Sequence, residues 1–113
     1  MNYEDLLERM AKLEFHQKLL LKMVSHSKDE FYKLIIEKSL SQEEVGRLLE
    51  VCEQMSKEMQ KQKAEGFVHF LPLYKDFETA LEPRLGVMEL IDTMLAQGLY
   101  VPLMREFKKY TET

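Results

Sequence analysis

The stretch from Tyr3 to Val24, YEDLLERMAKLEFHQKLLLKMV, holds neither Gly nor Pro and carries two interleaved apolar rows. Tyr3, Met10, Gln17 and Val24 form one row; Leu6, Leu13 and Leu20 form the other, each spaced by seven. This repeat is the seam along which helices wrap around one another. Leu7 and Leu21 widen the stripe, while Phe15 and Met23 lie off it. A surface helix of a monomer needs a narrower apolar face. The pattern therefore predicts a helix with partners on more than one side. At about 1.5 Å per residue it is roughly 33 Å long, and half of it could project beyond its own subunit. A charge at Leu13 (Leu13→Asp) is expected to abolish assembly, and folding with it.

Gln17 lies on the first row. Either it is a buried polar layer that specifies register and oligomer state at a cost in stability, or the seam drifts and leaves it at the edge. Both readings stay open at this point.

A chain of 113 residues is expected to form a single helical domain, 1–113. Its 45% hydrophobic content suffices for a core, and 32% charge with only four Gly and three Pro favours helices over strands. The net charge of −4 argues against a nucleic-acid partner, since phosphate binding needs a basic surface. No charge-free apolar run of about 20 residues is present, so no membrane span is expected. Glu4, Asp5 and Glu8 stand where a secretory leader would be basic. A cytoplasmic protein is expected.

Five further helices follow from periodicity and punctuation. Ser27 and Glu30 have capping-box spacing and should open a second helix carrying Phe31, Leu34 and Ile35. It ends near Ser39 and Leu40. Ser41 and Glu44 form a second capping box, and Val45, Leu48, Cys52, Met55 and Met59 step along a helix reaching about Glu65. Gly66 suits the position just past its end. Phe67, Phe70, Tyr74, Phe77 and Leu81 form an aromatic stripe out of phase with that helix. This supports a separate helix, Leu71 to Leu81, with Pro72 in its first turn; one kinked helix over 42–81 is the alternative. Val87, Leu90, Ile91, Met94 and Leu95 mark a helix from Leu85 to Gln97, stopped by Gly98. Pro102 should hold the first position of a last helix bearing Leu103, Met104, Phe107 and Tyr110.

Two stretches, FYKLIIEKSLSQEEVGRLLEVCEQM (31–55) and LGVMELIDTMLAQGLYVPLMREFKKY (85–110), resemble the YhaI-like family of small uncharacterised all-helical proteins from Bacillus relatives. The resemblance implies an all-α multihelical bundle assembled as an intertwined homo-oligomer, with a trimer favoured over a dimer. It transfers no catalytic, metal or cofactor residue.

The residues themselves offer little chemistry. His16, His26 and His69 are the only histidines, and none is paired at helical ligand spacing. His16 falls beside the seam, where a flanking contact is the default and a symmetric ring binding a metal or sensing pH is the alternative. His69 lies near Tyr74 and Asp76 in an apolar segment, a set capable of acid–base chemistry but without a nucleophile or phosphate loop. The eight methionines, Met10, Met55, Met59 and Met94 among them, fit core stripes better than a peptide groove. Cys52, the single cysteine, sits on an apolar stripe between acidic neighbours and reads as a buried thiol. LSQEEVGRLLE resembles the opening of a helix-turn-helix but lacks the recognition helix.

The expectation is thus a non-enzymatic, self-associating helical protein serving as a scaffold or protein-interaction module, without cofactor or metal. The alternative is a small enzyme or metal-binding protein with a subunit-interface site around His69 or His16.

Overall fold

A computed structural model describes residues 2–24 and 29–111. Six α-helices appear among them and no strand: α1 (Tyr3–Met23), α2 (Glu30–Glu37), α3 (Gln42–Ala64), α4 (Leu71–Ala80), α5 (Val87–Gln97) and α6 (Val101–Thr111). Ser25, His26, Ser27 and the last two residues, 112–113, lie outside the described residues.

Several boundaries have a local cause. The Asn2 side chain accepts the Asp5 N–H at 2.8 Å and opens α1. Ser41 and Glu44 form the full reciprocal capping box of α3. Three helices end in Schellman turns, in which two amides past the end bond back to the last turn. At α3, Gly66 at φ +97° allows Phe67 N–H to reach the Gln62 carbonyl at 2.9 Å. Gly98 does the same for α5. At α2 the left-handed residue is Ser39, at φ 54°, a position more comfortable for Gly.

Several expectations shift. α2 begins at Glu30 behind Asp29, which makes no side-chain cap. Its Phe31 amide is instead capped by Gln97 Oε1 at 3.1 Å, from the far end of α5. The expected cap, Ser27, is outside the described residues. The single kinked helix over 42–81 is excluded: α3 stops at Ala64, and a new helix starts at Leu71 with Pro72 in its first turn. α5 starts two residues later than expected, because Leu85 is held in a turn by its N–H to the Glu82 carbonyl at 2.9 Å. Pro102 is the second residue of α6, after Val101.

The core draws on α2 through α6. α5 packs against α2 and α6, and α4 against α3 and α6. Cys52, Phe77, Leu90, Met94, Leu103, Met104 and Phe107 are fully enclosed. Phe107 is the hub of the aromatic set, with ring centroids 4.9 Å from Phe77 and 5.6 Å from Tyr74. Such offset and edge pairs add about 0.5–1.5 kcal/mol to their burial. The Tyr110 hydroxyl accepts the Phe70 N–H at 2.8 Å and so caps α4 from α6.

α1 stands apart. It contributes no buried side chain. The radius of gyration is 17.6 Å and the longest dimension 61 Å, against a radius of about 13 Å for a compact chain of this length. The excess reflects a helix held away from the body. Because α1 gives nothing to the core, a charge at Leu13 leaves the fold of α2–α6 without a reason to fail. For the single chain, Leu13→Asp is therefore expected to spare the fold, unlike the expectation from spacing alone.

Candidate interaction surface

The seam residues of α1 lie on open surface. Leu6 is 47% exposed, Leu13 66% and Leu20 59%; Tyr3, Leu7 and Met10 are exposed beside them. A contiguous apolar stripe of this length is unusual on a monomer, where the largest patch spans about 300–600 Å² and is often functional. Gln17 and His16 are also exposed in the single chain. Met10, read as a core residue, lies on this open face; Met59 and Met94 are in the core and Met55 is half-buried.

At the foot of the helix the stripe meets the body. Ile36 of α2 joins Leu13, His16, Gln17, Leu20, Leu21 and Val24 around a shallow hollow of about 230 Å³. Ile36 and Tyr32, on the outer side of α2, are themselves exposed. The apolar face of α1 thus continues onto α2. His16 packs its ring beside Phe15, centroids 6.0 Å apart.

His69, Tyr74 and Asp76 do not form a cluster. His69 and Asp76 are on the surface, while Tyr74 is buried between Phe107 and Tyr110. The Tyr74 hydroxyl donates to Glu78 Oε2 at 3.2 Å. Burial, reinforced by the Glu78 carboxylate, raises the Tyr74 pKa above its ordinary value. The expected apolar setting for His69 is not found, because the chain turns out to solvent between Gly66 and His69. Phe67 goes with it, 54% exposed, and leaves the aromatic stripe that Phe70, Tyr74 and Phe77 keep. Among the described residues, no group of three His, Cys, Asp or Glu side chains is placed to hold a metal ion.

Cys52 is buried, with Sγ 3.9 Å from Met94 Sδ. Burial pushes its thiol up to about 12, so it stays protonated and unreactive at neutral pH. Among the described residues, no helix is long and apolar enough to cross a membrane.

Sequence reasoning missed Arg84. Its guanidinium donates through Nη1 to the Lys38 and Ser39 carbonyls at 3.2 and 3.0 Å, closing the exposed end of α2. Through Nη2 it pairs with Glu44, the same side chain that completes the α3 cap. The Arg84 hydrogen bond, with a second from the Ser41 amide, lowers Glu44 to about 2. One arginine in the α4–α5 turn thereby ties down the α2–α3 connection. The capping box was visible in the sequence, but its partner 40 residues away was not. Beside this clamp, a groove of about 220 Å³ has Leu48, Val51, Leu81 and Leu85 in its walls, with Arg47 and Glu82 as polar lining.

The two candidate surfaces are therefore an exposed heptad helix continuous with α2 and a small groove beside an ionic clamp. Among the described residues, neither surface brings together a nucleophile, a base and a group to orient it. The family model described as "Protein of unknown function (DUF1878)" matches residues 3–112, and the chain belongs to that family.

Proposed function

We propose that the protein is a non-enzymatic, self-associating helical module of the cytoplasm, akin to the YhaI-like proteins, whose copies join through α1 in a coiled coil. The single observation that carries this is that α1 buries none of its side chains while exposing its heptad seam from Tyr3 to Leu20. Tyr3, Leu6, Leu7, Met10, Leu13 and Leu20 expose on the order of 700 Å² together, close to the roughly 800 Å² that each partner of a standard interface contributes. A trimer is favoured over a dimer. Leu7 and Leu21 extend the stripe to one side, so each helix has apolar surface for two neighbours. The hollow beside Ile36 supplies further apolar surface at the same face. Through such an assembly the α2–α6 bodies would be displayed around a shared stem, as in a scaffold.

Light scattering on the purified chain tests this. A trimer gives about three times the 13.5 kDa chain mass, and dilution into the low micromolar range leaves it unchanged. A monodisperse monomer overturns the proposal. A dimer keeps self-association and overturns the trimer.

A further inference from the structure

We infer that the α1 helices pack parallel and in register with a second copy's α1, the direction being set by Gln17 and by a pairing of Arg9 with Glu14 across the seam. This orientation rests on the self-association proposed above. Tyr3, Met10, Gln17 and Val24 take the first core position of each heptad, called a, and Leu6, Leu13 and Leu20 the other, called d. Arg9 and His16 then flank the seam on one side (position g), and Leu7, Glu14 and Leu21 on the other (position e). All but Leu21 and Val24, which are half-buried, are solvent-exposed on the single chain.

The two directions differ in what they bring together. In a parallel pair, a layers meet a layers, and g meets the e residue five positions on in the neighbour. Gln17 then faces Gln17 of the second copy, and the amides can hydrogen-bond to each other. Arg9 meets Glu14 of the second copy, and opposite charges at these flanking positions set partner orientation. In an antiparallel pair, a faces d and e faces e. The two registers that retain most of the overlap place Gln17 against Leu6 or Leu13 of the other copy. That leaves an amide without a partner in an apolar layer. The same registers place Glu14 against Leu7 or against another Glu14, a burial cost or a like-charge repulsion. Charge complementarity and the Gln17 layer thus choose the same direction independently.

Thiol cross-linking reads the direction. Chains carrying Leu6→Cys and chains carrying Leu20→Cys, one of them lengthened by a tag, are refolded together and treated with a short bis-maleimide. Both sites are exposed on the single chain, so the exchanges leave the body folded, and Cys52 is enclosed and does not react. Positions 6 and 20 lie about 21 Å apart along the helix, beyond the reach of the reagent. The parallel arrangement gives 6–6 and 20–20 products, with the 6–20 product at least tenfold less abundant. A dominant 6–20 product overturns it, and so does an assembled mass with no cross-link at either site. Light scattering on the same samples separates these outcomes from failure of self-association itself, which shows as a monomer mass in the unsubstituted chain. If the cysteine variants alone fall apart, Tyr3→Cys and Val24→Cys take their place at the ends of the seam.

Discussion

Replacing Leu13 by Asp should dissolve the assembly and spare the body of each chain. Leu13 is 66% exposed on the single chain. Seating it in a seam therefore recovers roughly 1–2 kcal/mol of the 1.5–3 kcal/mol that full burial of a leucine provides. Aspartate forfeits this and adds a desolvation cost of about 2 kcal/mol or more for a carboxylate forced into an apolar layer. The loss is about 3–4 kcal/mol per chain and about 10 kcal/mol over three chains. At 1.4 kcal/mol per decade, that is about seven orders of magnitude in the association constant. Sedimentation equilibrium should show a monomer at concentrations where the unsubstituted chain is fully assembled. Near-ultraviolet circular dichroism from the Tyr74, Phe77 and Phe107 cluster should persist, because that cluster contains nothing from α1. Retention of the assembled mass would refute the seam. A monomer that also loses the aromatic signal would refute the independence of the body from α1.

Three further outcomes are expected. Arg84→Met should release Glu44 from about 2 back towards the ordinary 4.5, followed by carboxyl NMR. Because the folded value is depressed, this contribution to stability is present above 4.5 and is lost as pH falls towards 2. The melting-temperature gap between the two proteins should narrow over that range, and a constant gap would contradict the clamp. Ser39→Gly should stabilise the chain by about 0.5–1 kcal/mol in denaturant titrations, since φ there is 54° and glycine adopts it without strain; a fall in stability would contradict this. Cys52→Ser should cost about 1–3 kcal/mol, because it puts a hydroxyl without a partner among apolar side chains. In the unsubstituted chain, Cys52 should react with a thiol reagent only at the rate of unfolding; rapid labelling of the native protein would contradict its enclosure.

Much of the architecture was legible along the chain because its causes are local. Ser41 with Glu44, Gly66 and Gly98 each act within about one helical turn, and the structure bears out the helix boundaries they announced. The core stripes of α3, α5 and α6 were likewise readable, since 3.6-residue periodicity records which face is buried. Position along the stripe misled at Phe67, where the chain leaves a helix, and at Met10, whose helix gives nothing to the core. Periodicity has no meaning in a loop.

The sequence by itself determined six amphipathic helices and a heptad face too wide for a lone surface helix. Both are written in residue spacing, which survives without any knowledge of the fold. Tertiary structure alone decided that, among the described residues, nothing in the chain buries a side chain of this face. It also decided that Gln97 caps α2, that Tyr110 caps α4, and that Arg84 clamps Glu44. Each of these joins residues 40 or more positions apart. A single sequence carries no signal for such pairs, because any Gln, Tyr or Arg on a polar helical face looks alike until packing brings one of them to an open helix end.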